Sequence, residues 1–395
     1  MKENKFFGIA FVAVLLLSFI FVATQIPGAH STPKDLPIGL VLEDEGNMGQ
    51  TFVEMIQKNS QATKEAPFKW VVLKNEQEMK EKLANQELYG AIYIPKDFSE
   101  KYASFQTPTP TSAMLKIYIN QGKNANVANI VTQALSTMVE KMNDNVSVQL
   151  FAVTEKNNIP LSAKQARTYS TPIQSEIVNV HETGKLSNAP LSFFQPIWMS
   201  SLISAILLWF TGRNRKFNSV LEQLKFRGFQ ALIAMIIGLF GGYLLTWYST
   251  WMLDYEFADF NYVALFLSLT CATFILLILA ITTWIKYAAL PIFVLLMFFG
   301  LPLLQIAPEM LPSFYANWIY PWLPFRFMFE GLKEILFFSG ELWNTAAISL
   351  CWIAVVSIVV LLLSVIKRSS YKEDTSSKGR TSGDGEEVSV QSLEI

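Results

Sequence analysis

Two groups of residues combine charge with apolar neighbours in a pattern that can do chemistry or grip a partner. In the first, Arg326, Glu330, Lys333 and Glu334 stand at i,i+4 and i,i+3 spacing within Phe325 to Phe338, so on a helix they can pair. Phe325, Phe329, Leu332 and Leu336 fall on one face of that helix. The pattern predicts a short helix at the outer membrane interface, with Arg326 and Lys333 reaching lipid headgroup phosphates or a substrate's polar end. The second group is Ser219, Leu221, Glu222, Leu224, Lys225 and Arg227. Ser219 and Glu222 have capping-box spacing, which predicts a short helix starting there. Leu221 and Leu224 give it a small apolar edge beside Lys225 and Arg227, of the kind a cytoplasmic partner can grip. The positive-inside bias and anionic headgroups account for the cations equally well.

A third cluster, Glu43, Asp44 and Glu45, offers carboxylates of the type that hold a hard cation. Followed by Gly46 after a strand, these acids read as a solvated turn, and no metal site is expected. Catalytic patterns are missing. Gly184-Lys185 is followed by Leu186, so no phosphate-cradling G-x-x-x-x-G-K-[ST] loop forms and the chain is not expected to hydrolyse ATP by itself. Neither H-E-x-x-H nor G-x-S-x-G occurs, and His30 and His181 are the only histidines. An enzyme is not expected. Cys271 and Cys351 lie inside predicted spans, where cysteine acts as a small apolar residue, so no disulfide is expected in the polar domain.

The elements that must position these groups are written in the apolar runs. With 51% hydrophobic and 16% charged residues in 395 positions, the chain is too apolar for a soluble protein of ordinary composition. Phe6 to Thr24 is long enough to span, and it exceeds the about 7–15 apolar residues of a signal peptide. It therefore reads as an anchor. Five more spans are predicted at Phe193 to Phe210, Phe229 to Trp247, Tyr262 to Trp284, Ala288 to Ile306 and Thr345 to Ile366. Arg213, Arg215, Lys216, Lys225 and Arg227 share one loop, Lys286 sits in a tight turn, and Lys367 and Arg368 follow the last span. The positive-inside rule puts those three places, and both termini, in the cytoplasm. Trp198, Trp209, Trp247, Trp251, Trp284 and Trp343 are expected in the interfacial belts. The net charge of -1 says nothing of nucleic acid.

Between the first two spans the texture predicts an α/β domain. Strands are expected at Ile38 to Glu43, Phe68 to Leu73, Tyr89 to Ile94 and Leu115 to Asn120, with helices at Met48 to Gln57, Glu76 to Asn85 and Asn126 to Leu150. The β-α-β-α-β order makes part of the sheet parallel. Thr171 to His181 is expected to lead back to the membrane. The predicted organisation is an anchor over 1–27, an extracytoplasmic domain over 28–192 and a membrane domain over 193–367. The membrane domain carries an inner loop at 212–228 and an outer re-entrant segment at 308–340. A disordered cytoplasmic tail over 368–395 completes the chain.

Two stretches carry a resemblance. Leu40-Val41-Leu42-Glu43-Asp44-Glu45-Gly46 followed by Gly49, and Ala91-Ile92-Tyr93-Ile94-Pro95-Lys96-Asp97-Phe98-Ser99, resemble the YhgE/Pip membrane proteins, which belong with the ABC type-2 exporter permeases. The residues concerned, Asp44, Gly46, Pro95, Asp97 and Phe98, also have structural readings. Pro95 stops a strand, Asp97 can cap the next helix, and Phe98 can pack under the sheet. The resemblance covers nearly the whole layout. It implies a polytopic α-helical bacterial cell-membrane protein of about six spans, working as a homodimer or with a related permease among membrane lipids. A separate ABC ATPase would drive an amphipathic or lipid-linked substrate outward, docking on the loop between the second and third spans. Such exporters carry an amphipathic helix before the first span, where this chain has only Met1 to Lys5. The competing expectation is a surface receptor of the phage type, or a secretion-machinery scaffold, using the outer domain to bind a partner.

Overall fold

The computed structural model describes residues 12, 14–16, 18–19, 21–29, 31–61, 67–338 and 340–378. The predicted first span lies partly outside these residues, and the end of the predicted tail, 379–395, lies wholly outside them.

Strands β1 (Leu36–Leu42), β2 (Phe68–Leu73), β3 (Gly90–Ile94), β4 (Ala113–Asn120) and β5 (Ile173–Val180) form one sheet in the order β2-β1-β3-β4-β5. Helix α1 (Asn47–Gln61) connects β1 to β2 and α2 (Glu76–Ala84) connects β2 to β3, so β1 lies parallel to both neighbours. A short α3 (Phe98–Ala103) precedes β4, which runs antiparallel to β3. The central strand β3 is buried at every position. Ile92 and Ile94 pack with Phe52, Phe98, Val131 and Leu135 on one face, while Ala91 and Tyr93 pack with Met79 and Leu83 on the other. Two covered faces produce an unbroken apolar run.

The crossover from β4 to β5 uses the long α4 (Ala125–Lys156) and α5 (Ala163–Ser170). The segment expected to lead back to the membrane is therefore strand β5, parallel to β4. Only Ile173 of its eight residues is buried, because β5 is an edge strand held by its hydrogen-bond ladder. Its side chains carry no alternating apolar signature.

The helical unit comprises α6 (Ala189–Arg213), α7 (Val220–Met252), α8 (Phe260–Ile285), α9 (Ala289–Gln305), α10 (Pro324–Phe337) and α11 (Thr345–Lys378). Among the described residues, four helices are long and apolar enough to cross a membrane, the predicted first span lying partly outside those residues. One of them, Phe260–Gln305, is bent at Lys286 into α8 and α9. On its own, α9 spans about 25 Å at 1.5 Å per residue, short of a hydrocarbon core of about 30 Å. Helix α11 continues to Lys378, through the start of the tail expected to be disordered.

Helix α8 is the centre of this unit. The apolar window of Phe260–Gln305 is 72% buried, against 39%, 28% and 28% in the other three. Helix α7 meets α8 nearly backbone to backbone. A Cβ placed on Gly242 would lie 2.2 Å from the Ser268 backbone nitrogen, and one on Gly238 would lie 2.5 Å from the Ala272 Cβ. Hydroxyls add polar ties, Ser268 Oγ donating to Leu239 O at 3.0 Å and Thr273 Oγ1 to Leu350 O at 3.3 Å. Aromatic rings close the other side. Phe325 at the start of α10 is fully buried, with its ring 4.4 Å from Trp198, 4.9 Å from Phe194 and 5.8 Å from Phe274.

Trp198 therefore belongs to the core and not to an interfacial belt, its indole donating to Phe293 O at 3.3 Å. Trp209 is buried too, and Trp284 donates to Val360 O at 2.9 Å. Trp247, Trp251 and Trp343 are exposed, as belt residues are.

Because backbone atoms of Ser268, its nitrogen and Cα, face Gly242 along with its hydroxyl, Gly242→Leu cannot be absorbed by rotamer changes alone and must separate α7 from α8. The expected loss is about 3 kcal/mol or more, seen as a lower thermal midpoint of the purified protein in detergent. Gly228→Ala, on the same helix with nothing within 4 Å, should instead gain up to about 1 kcal/mol.

Candidate functional site

The sheet unit and α10 enclose a cavity of about 710 Å³. Lys123, in the turn after β4, and Tyr89, just before β3, form one wall, with Glu309 opposite in the turn Pro308–Met310. The Tyr89 hydroxyl donates to Glu309 Oε2 at 2.8 Å, and the Lys123 ammonium lies 3.8 Å above the Tyr89 ring centre and 3.9 Å from Glu309. Helix α10 supplies Glu330, Lys333 and Glu334, and Glu341 lies beyond it. The described lining thus carries two lysines and four glutamates.

Burial shapes the electrostatics. Desolvation pulls the Lys123 ammonium down to about 8 from 10.5, with Glu309 opposing and Lys333 adding to the fall. Lys333 is lowered by the same cause, against the carboxylates of Glu330, Glu309 and Glu334. Tyr89 is pushed far above the ordinary phenol range by burial and then by Glu309, so it acts as a hydrogen-bond donor. The arrangement can bind and orient a polar group, with an excess of carboxylates over lysines in its described lining.

Helix α10 appears where an amphipathic helix was expected. Phe325 and Leu332 are fully buried, Phe329 is nearly so and Leu336 is half-buried. Arg326 pairs with Glu330 at 2.7 Å, as i,i+4 spacing predicts. Lys333 departs from expectation. Its ammonium donates to Lys123 O at 3.0 Å, facing the sheet unit and not the headgroups. Glu334 accepts from Gln86 Nε2 at 2.6 Å, and His181 Nδ1 lies 3.0 Å from Phe337 O. Both Gln86 (φ 59) and His181 (φ 52) have positive φ. At these junctions, left-handed backbone aims side chains at α10.

The two stretches that carry the resemblance meet each other. Asp44 is 5% exposed, so the expected solvated turn is wrong for this residue. It accepts from Gly49 N at 3.2 Å and Ser99 N at 3.0 Å, and also from Ser99 Oγ. A side chain at Gly46 would strike Ser99, which explains a glycine there. Glu43 turns elsewhere, accepting from Tyr93 OH at 3.0 Å and Glu76 N at 3.2 Å. Pro95 follows the end of β3, and Phe98 is buried with its ring 5.6 Å from Phe52. Asp97 makes no side-chain cap, pairing with Lys101 at 2.8 Å, while Asp44 reaches across to the Ser99 amide.

At the opposite end of the bundle, Ser219 Oγ accepts from Glu222 N at 3.1 Å. The helix it starts is not a short separate one but the whole of α7. Glu222 reaches back to Asn218 N at 3.0 Å, one residue before the expected box partner. Leu221 and Leu224 are 59% and 40% exposed, and Lys225 is exposed. Arg227 turns inward, 6% exposed, and donates from Nη1 to Gln230 Oε1 at 2.7 Å. Sequence reasoning missed Tyr89, Lys123 and Glu309. The available signal was Glu309, the only acid between Asp259 and Glu330.

Apolar helices around a central buried one, with a sheet unit built on α10, define a multi-pass membrane protein. The chain belongs to the family described as ABC-2 family transporter protein, whose model matches residues 5–366. Membership makes it a transport subunit, a permease and not an enzyme, and implies partnership with an ABC ATPase. No curated protein and no solved structure matches the chain.

The Asp44 clamp gives a local expectation. Asp44→Ala strands buried donors at Gly49 and Ser99, costing about 2–3 kcal/mol. Amide hydrogen exchange of residues 44–52 and 95–103 should quicken by about thirtyfold or more, since each 1.4 kcal/mol is tenfold. Lys123 gives a second. Its folded pKa is depressed, so between pH 8 and 10.5 the unfolded chain binds more protons than the folded one. Stability therefore rises with pH across that window. The thermal midpoint of the wild type, measured relative to Lys123→Met, should climb from pH 8 to 10.5.

Proposed function

We propose that this permease moves an amphipathic or lipid-linked substrate outward, as one half of a dimer formed with itself or a related permease. A cytoplasmic ABC ATPase drives it through the start of α7. The carrying observation is that edge: Val220, Leu221 and Leu224 are 58%, 59% and 40% exposed at the charged end of a long apolar helix. Apolar side chains among cations are poorly placed for lipid or for water, and a protein surface suits both kinds of group. The charges of Arg213, Arg215, Lys216, Lys225, Lys286, Lys367 and Arg368 support a cytoplasmic position for that end. The sheet unit and its cavity then face outward, and the termini inward.

Replacing Leu221 and Leu224 with Asp should abolish co-purification of the ATPase and its substrate-stimulated turnover. Membrane insertion should be unchanged, because both side chains are exposed. Failure of any ATPase to associate with the unmutated protein in nanodiscs would favour the receptor or scaffold reading.

A further inference from the structure

The cavity against the sheet unit repeats one arrangement on its walls, a cation held over an aromatic ring with a carboxylate beside it. At Tyr89 the cation is Lys123, 3.8 Å above the ring centre, and the carboxylate is Glu309, which accepts from the Tyr89 hydroxyl at 2.8 Å. At Tyr320 the cation is Arg326, 5.3 Å from the ring centre. There the carboxylate is Glu330, which pairs with Arg326 at 2.7 Å and accepts from the Tyr320 hydroxyl at 3.4 Å. In both places the ring face and the carboxylate attract the same positive charge.

A third ring and a third carboxylate line the same cavity without a cation. Glu341 and Trp343 stand in the turn before α11, two residues apart, so their Cα atoms lie within about 7 Å. Among the described residues no cation pairs with the Glu341 carboxylate, and Asn344 bonds only its backbone oxygen, at 3.4 Å. No described ring or cation lies against Trp343, which is 67% exposed. An interfacial belt accounts for an exposed indole. It does not account for a carboxylate beside that indole on the wall of a cavity whose two tyrosines each hold an ion pair. The overall charge agrees. Lys123, Lys333 and Arg326 offset three of the four lining carboxylates, which leaves one negative charge over. A second cavity, of about 600 Å³ at the α7 start, has the opposite character, with Arg213, Arg227 and Lys286 and no acid in its described lining. The carboxylate excess is therefore particular to the cavity against the sheet unit.

We propose that Glu341 and Trp343 receive the ammonium head of an amphiphile, the carboxylate supplying the opposite charge and the indole face the cation–π contact. The assignment names a substrate class within the exporter reading and rests on that reading for movement. Binding itself needs no ATPase.

The test is isothermal titration calorimetry of the full chain in dodecyl maltoside, with choline and with its uncharged isostere 3,3-dimethylbutan-1-ol. The wild type should bind choline about tenfold or more tighter than the isostere, a gap of one decade in affinity. Glu341→Gln and Trp343→Leu should each weaken choline binding by about fivefold, and together they should erase the preference. Trp343→Phe should retain part of it, because a phenyl face still attracts a cation. Both side chains are exposed, so the thermal midpoint should not move and lost binding would not report misfolding. Equal affinity of the wild type for the two probes, or a preference untouched by the double variant, overturns the proposal. Dioleoyl phosphatidylcholine added to the micelles should compete with choline, since it carries the same head on an amphiphile. Absence of competition overturns the amphiphile half and makes the ligand a soluble organic cation. Loss of ATPase association with choline binding intact would strike the exporter reading and leave this site standing.

Discussion

The close approach of Gly238 and Gly242 to Ala272 and Ser268 sets the geometry on which the rest of the helical unit depends. In lipid, apolar helices gain little by leaving hydrocarbon for one another, so association rests on close van der Waals contact and buried hydrogen bonds. Two glycines four residues apart remove the side chains that would hold α7 away from α8. With α7 seated, the remaining surface of α8 is closed by α6, α10 and α11 through Phe266, Phe274 and Phe325. A Cβ on Gly331 would lie 2.3 Å from Phe266, so α10 too approaches as closely as its sequence allows.

Helix α10 consequently belongs to two bodies at once. Phe325, Met328 and Leu332 are fixed among the spanning helices, whereas Lys333, Glu334 and the Phe337 carbonyl are held by residues 123, 86 and 181 of the sheet unit. Gln86 and His181 both pay backbone strain for those contacts. A displacement of α6 or α8 that carries Phe325 must move the cavity wall formed by Glu330 and Lys333, or break the ties to the sheet. The geometry thus offers a mechanical route from the bundle to the polar cavity.

Much of this was legible in the sequence because it is periodic. Strands β1 to β4 announce themselves by apolar runs ended by Pro95 or by turns, and α10 by Phe325, Phe329 and Leu332 at helical spacing. What was not legible depends on partners distant in sequence. Strand β5 is stabilised by backbone pairing with β4, which leaves no mark on side-chain type. Asp44 looked like a loop acid because its partner, Ser99, lies 55 residues away. Lys333 and Arg227 were read as surface cations from their local spacing, and both face inward because neighbouring segments cover them. Local pattern reports which face is apolar, but not what covers the polar one.

The two cavities differ in charge in a way that bears on transport. The described lining of the cavity against the sheet unit carries four glutamates against two lysines, and that of the cavity at the α7 start three cations with no acid. Lys123 modulates the balance at the sheet-unit cavity. With its ammonium lowered to about 8, part of the population is neutral just above neutral pH, which makes that cavity more repulsive to anions. The exposed Leu221 and Leu224 lie on the same helix as Arg227, within two turns of it, so a partner that gripped them would bear on the end of the bundle where Arg213, Arg227 and Lys286 gather.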